Sequence, residues 1–262
     1  MPFTLAHPAA VLPLRRLRPL RVTPLIVGAV APDLPYYLPA NLKGAIPETH
    51  ELAHSCTVDL ALGLVTLALL CLLRYPLTAL LSARARLLIL QALAPYAHLR
   101  AWLWALPALV LGVWTHLLWD SFTHPYGFMV HRVAALTAPV SVGPYSGPLF
   151  HVLQYLSSVF GLTCMVVWYL GLRAPPPPAS DPEAARSAVV PLLALIGAAA
   201  LLIGGVQATA HYTQQPGDIY RTINILLTHG LAWFAALYLI AGGLLTLERR
   251  SEQALSSGSP TP

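Results

Sequence analysis

His116 and Asp120 stand four residues apart in Trp114-Thr115-His116-Leu117-Leu118-Trp119-Asp120-Ser121-Phe122-Thr123-His124, at the end of an apolar run. On a helix that spacing puts an imidazole and a carboxylate on one face. Ionisable groups in sequence that contacts lipid are costly unless a metal, a proton pathway or a paired partner offsets the burial. The chemistry open to the pair is therefore metal binding, proton transfer or ion pairing.

The pair has company. In the first 150 residues the only acids are Asp33, Glu48, Glu51, Asp59 and Asp120, and all but Asp33 lie within five residues of a histidine. Imidazole and carboxylate ligands without cysteine suit zinc, manganese or iron, and a mixed N/O set leaves positions for water, as a catalytic centre requires. His50-Glu51-Leu52-Ala53-His54 also matches H-E-x-x-H, in which two histidines on a helix bind zinc and the glutamate acts as base. Several members have plainer readings. Asp33, in Ala31-Pro32-Asp33-Leu34-Pro35, fits a turn, and His124 is biased out of the helix by Pro125. Asp59 fits a cap, a partner for Ser55 or an outer-shell carboxylate. His98, His151 and His229 stand alone in apolar context as core or interface histidines, and His211 has only Asp218 near it.

The elements that must position these groups are helices in a membrane. The chain is 56% hydrophobic and 10% charged, against about a quarter charged in soluble domains, and its mean hydropathy is +0.65. Runs near the length that spans hydrocarbon occur at 56–73, 101–119, 149–172, 187–210 and 219–247, which predicts five spans. Residues 1–55, broken into short pieces by Pro8, Pro13, Pro19, Pro24, Pro32 and Pro35, predict a short helical hairpin from helices at 8–17 and 24–30, which brings His7 and Asp33 to one end. With five spans, His7, Asp33, His50, His54, His116, Asp120 and His124 all fall on one side of the membrane or at one set of span ends.

The fold class expected is all-α, a multi-pass transmembrane bundle. Its parts are a front domain over 1–174, a Pro-rich linker over 175–186, a C-terminal helix pair over 187–250 and a disordered tail over 251–262. Arg84, Arg86 and Arg100 among leucines predict an amphipathic surface helix within 75–100, and 120–148 reads as a Gly- and Pro-rich connector. The net charge of +5 comes from basic residues at span ends, which are topology signals rather than a nucleic-acid footprint. Cys56, Cys71 and Cys164 lie in apolar runs and suggest buried thiols, with no disulfide framework. The amino end lacks a basic region before an apolar one, so a signal peptide is not expected.

The order of Phe3-Thr4-Leu5-Ala6-His7-Pro8, Val30-Ala31-Pro32-Asp33-Leu34-Pro35, His54-Ser55 and His116-x-x-x-Asp120 resembles the bacterial membrane family known as domain of unknown function 4184, over most of the chain to about Gly171. It is similar to membrane-bound metal-dependent hydrolases and, remotely, to zinc-dependent phospholipases C. That resemblance implies metal ligation by His7, Asp33, His54, His116 and Asp120; the residue pattern itself adds His50 and His124 as further candidate ligands. The resemblance also implies Asp120 as ligand or catalytic base, and a bacterial cytoplasmic membrane as the setting.

The function expected is metal-assisted hydrolysis of a lipid-like phosphoester at the membrane surface, with one or more zinc or other divalent ions. The expected partners are membrane lipid and a lipid-like substrate, with no nucleic acid. Arg132 is a candidate phosphate contact. Two other classes are a zinc protease acting through His50, Glu51 and His54, and a non-catalytic membrane protein whose polar groups serve packing or proton transfer.

Overall fold

A computed structural model describes residues 3–38, 40–142, 145–174 and 184–257. In chain order the α-helices are α1 (Val22–Val30), α2 (Ala40–Lys43), α3 (Val58–Leu72), α4 (Arg74–Thr78), α5 (Ala83–Leu93), α6 (Leu99–Thr123), α7 (Ala134–Thr137), α8 (Leu149–Gly171), α9 (Ala184–Gln214) and α10 (Ile219–Ser257). The fold class is all-α, relieved among the described residues only by an antiparallel pair, β1 (Pro139–Val142) and β2 (Tyr145–Pro148). That hairpin lies in the stretch expected to be an irregular connector.

Among the described residues four helices are long and apolar enough to cross a membrane: Leu99–Thr123, Leu149–Gly171, Val189–Gln214 and Arg221–Glu252. The fifth expected span, at 56–73, is α3, a helix of 15 residues. At 1.5 Å per residue it reaches about 22 Å, short of the roughly 30 Å of hydrocarbon.

The chain divides into two compact units. The first holds residues 1–35, 40–68 and 95–173; the second holds 36–39, 69–94 and 174–262. The expected boundary at 174 therefore omits the segment 69–94, which groups with the C-terminal helix pair. The amphipathic helix expected within 75–100 is two short pieces, α4 and α5, followed by a 3-10 turn at Ala94–Ala97. Of the expected linker, 175–183 lie outside the described residues, and 184–186 already belong to α9. Of the expected tail, 251–257 continue α10, and 258–262 lie outside the described residues. All three cysteines are free, with Cys56 exposed rather than buried.

In the first unit the expected N-terminal hairpin is built from 3-10 helices Thr4–Val11 and Pro13–Arg16 and from α1, whose Pro24 sits in its first turn. Val11, Leu25, Ala29 and Ala108 form a fully buried core between Thr4–Val11, α1 and α6. Gly28 and Gly112 let α1 and α6 touch backbone to backbone. A Cβ at Gly28 would collide with the Leu109 carbonyl oxygen, and one at Gly112 with that of Leu25. This contact fixes where the end of α1 lies against the last turns of α6.

Candidate metal centre

Four pieces of the first unit converge. The 3-10 helix Thr4–Val11 supplies His7, and a second one, Ala31–Tyr37, supplies Asp33. Pro32 and Pro35 lack backbone donors, and so favour that short tight turn over a continued α-helix. Helix α6 supplies His116 and Asp120 from one face, as the spacing predicts. A bend supplies His50, held in place by the neighbouring Thr49, whose buried hydroxyl donates to the Pro32 carbonyl at 2.7 Å.

His7, Asp33 and His116 are buried at 1%, 0% and 0% exposure, and Asp120 at 6%. His116 Nε2 lies 3.2 Å from Asp120 Oδ2 and 3.7 Å from Asp33 Oδ1. His50 Nε2 lies 3.4 Å from Asp33 Oδ1 and 3.6 Å from Asp120 Oδ2. The other oxygen of Asp120, Oδ1, faces His7 Nε2 at 3.4 Å and His124 Nδ1 at 3.3 Å. The His7 and His116 rings stack with centroids 3.9 Å apart.

Backbone and hydroxyl partners set the tautomers. The Nδ1–H of His116 donates to the Ala29 carbonyl at 2.8 Å, so in the neutral ring Nε2 carries a lone pair toward the two carboxylates. The Thr49 hydroxyl has already given its proton to Pro32, so it accepts from His50 Nδ1–H at 3.2 Å. His50 Nε2 then also faces the carboxylates with a lone pair. Such an array of acceptors is repulsive unless a proton or a metal ion sits among them.

The residues fit a metal. Both nitrogens of His7, both oxygens of Asp33 and of Asp120, and His116 Nε2 are buried without a hydrogen-bond partner among the described residues. Two sets of ligand atoms, His7 with Asp33 and His116, and His50 with His116 and Asp120, each lie within 4.8 Å of one another. Ligands 2.0–2.2 Å from a tetrahedral ion stand about 3.3–3.6 Å apart, and the N···O contacts above cluster around that range. The carbonyl behind His116 is the usual outer-shell partner that orients a ligating imidazole.

Burial pushes the His7 imidazole down to about 3. Asp33 is held below the usual carboxylate range against its burial, chiefly by its contact with His50. Burial likewise lowers His124. His7 and His124 are thus neutral, as ligating or hydrogen-bonding imidazoles must be, and Asp33 is ionised.

His54 belongs to neither set. Its Nδ1 is 2.6 Å from the Glu48 carbonyl oxygen and 3.7 Å from Glu51. The H-E-x-x-H stretch is not a helix: His50 and Glu51 lie in a bend and Leu52–His54 form one 3-10 turn. The two histidines therefore do not share the helical face that the protease reading requires. His124 is the extended C-cap of α6, as Pro125 dictates, and is half-buried against Asp120 rather than in solvent. Asp59 is fully buried with both oxygens unpartnered among the described residues. It does not pair with Ser55, whose hydroxyl donates to Leu52 and accepts from Trp114 Nε1. Arg132 is exposed and lies over the Phe128 ring. Elsewhere His98 is exposed, His151 packs edge-on to Phe150, and His229 meets Gln207 between α9 and α10 at 2.8 Å.

A model of the family described as Domain of unknown function (DUF4184) matches residues 1–243. The chain belongs to this family. The match runs well past residue 171, so family membership takes in α9 and most of α10 as well as the His and Asp cluster. Comparison with curated proteins and with solved structures finds no match.

Proposed function

We propose that this DUF4184 member is a membrane-embedded metal-dependent hydrolase, with zinc as the ion and a lipid-like phosphoester of the bacterial cytoplasmic membrane as substrate. The observation that carries the reading is the placement of His116, whose Nδ1–H is committed to Ala29 while Nε2 faces two carboxylates without a hydrogen bond. His7, Asp33, His50, His116 and Asp120 would hold the ion. When bound, it supplies Lewis acidity, drawing charge from a phosphoryl oxygen and making a coordinated water acidic near neutral pH. His50 replaces His54 in the ligand set that the family resemblance suggested.

The chain's own residues do the rest. Ala29 and Thr49 hold two imidazoles in one tautomer, so no reorientation is needed when the ion enters. Asp120 Oδ1, turned from His116 toward neutral His7 and His124, is the oxygen placed to accept a proton from water.

A membrane substrate suits the surroundings. An apolar groove of about 600 Å³ lies between α6 and α8, lined by Leu118, Trp119, Phe122, Leu153, Leu156 and Phe160 among others. Trp119 forms its border with the centre: its ring stands edge-on to His7 at 5.8 Å and its Nε1 donates to Ser157 at 3.1 Å. A chain lying in the groove would place its polar end beside the cluster.

Phospholipid hydrolysis by the purified protein in vesicles tests the proposal. The reading requires turnover that a chelator abolishes, that zinc restores and that His116→Ala lacks. Leu156→Trp, which fills the groove, should slow lipid hydrolysis more than hydrolysis of a short soluble phosphodiester. Activity indifferent to chelator and to His116→Ala would overturn the proposal.

A further inference from the structure

The second unit holds a cavity of about 310 Å³ lined by Tyr75, Ala79, Arg86, Thr246, Arg249 and Arg250. Tyr75 and Ala79 come from one face of α4 and its C-cap, and Arg86 from the first turns of α5. Thr246, Arg249 and Arg250 are spaced i, i+3, i+4 on α10, and so share a face. The elements are fastened together, since the Tyr238 hydroxyl on α10 donates to the Leu77 carbonyl on α4 at 2.9 Å.

Three arginines therefore line one space. Among the described residues none of Arg86, Arg249 and Arg250 pairs with a carboxylate, and the aromatic contact of Arg250 with Tyr75, at 5.9 Å, does not neutralise it. Arg74 adds a fourth positive charge over the same ring, at 4.8 Å. Like charges gathered without a counter-charge are unfavourable until an anion enters, and planar guanidiniums match the oxygens of a phosphate. Arg249 and Arg250 lie near the end of the candidate span Arg221–Glu252, and basic residues at a span end attract anionic headgroups.

We propose that this cavity binds the phosphate group of an anionic membrane phospholipid, as a site separate from the His and Asp cluster and independent of any hydrolase activity. Both a lipid headgroup and free phosphate offer the same oxygens. The span end favours the headgroup, because a lipid is delivered there by the bilayer itself.

The test uses the full chain purified in neutral detergent, with retention of added phosphatidylglycerol read by native mass spectrometry beside phosphatidylcholine and inorganic phosphate. Saturable retention of phosphatidylglycerol is expected, weakened about tenfold by Arg86→Gln and by Arg249→Gln, one charged hydrogen-bond donor apiece. Arg86→Lys should restore part of it, and Arg132→Gln, outside the cavity, should leave it unchanged. Circular dichroism and gel filtration identify the folded variants. Folded Arg86→Gln and Arg249→Gln proteins that retain the lipid like wild type would overturn the site. Inorganic phosphate bound with the same arginine dependence, in place of the lipid, would overturn the headgroup assignment.

Discussion

His116 Nε2 stands 3.2 Å from Asp120 Oδ2, one helical turn away, yet the two make no hydrogen bond. The proton that could join them is on the other nitrogen, where the Ala29 carbonyl takes it at 2.8 Å. Sequence spacing puts the pair on one face; the backbone of α1 decides which nitrogen looks at the carboxylate. A site for a cation follows from that division of roles.

Because His50 faces the cluster and His54 does not, the two histidines should behave differently. His50→Ala should weaken metal binding by more than about 100-fold, since loss of an outer-shell partner alone costs 10–100-fold. His54→Ala should leave metal content near wild type, and Glu51→Gln should leave hydrolysis unchanged. Metal titration of the three variants checks this, and the reverse order would restore the H-E-x-x-H reading.

Placing α1 against α6 depends on glycine. Gly112→Val should destabilise the protein by about 1–3 kcal/mol or more through overpacking, because its side chain would meet the Leu25 carbonyl and push Ala29 from His116. Gly197→Ala, where a Cβ meets nothing within 4 Å, should leave stability unchanged or slightly raised. Thermal unfolding of both variants, with and without metal, measures the difference.

Much of the centre is legible in the sequence because its couplings are local. His116 and Asp120 meet through helical periodicity, and His7 and Asp33 through a hairpin whose prolines mark its ends. The place of His50 is less legible because it depends on Thr49 bonding to Pro32, 17 residues away, and on the chain bending where the motif predicts a helix. The Ala29 carbonyl has no sequence signature, since every residue carries one. Gly28 and Gly112 read as ordinary small residues until the helices they join are known. The fold class follows from composition, but the length of α3 and the grouping of 69–94 with the C-terminal helices depend on contacts that apolar runs do not encode.

Acid should destabilise the metal-free protein through His7. Its folded-state value, about 3, lies below the usual 6.5 because burial disfavours the imidazolium. The unfolded chain therefore takes up a proton first as pH falls, so the stability is fully present above about pH 6.5 and is lost progressively toward pH 3. The loss should amount to several kcal/mol, on the order of 1.4 kcal/mol per pH unit. Unfolding midpoints of chelator-treated wild type and His7→Gln between pH 7 and pH 4 test it, the variant having the shallower slope.

The most direct measurement is the metal content of the detergent-purified protein by elemental mass spectrometry, beside His116→Ala and Asp120→Ala. Stoichiometric divalent metal is expected in the wild type and a loss of most of it in both variants. Metal absent from a folded wild type even after zinc is supplied, or equal in all three proteins, would contradict the assignment of the buried His and Asp cluster as a metal centre.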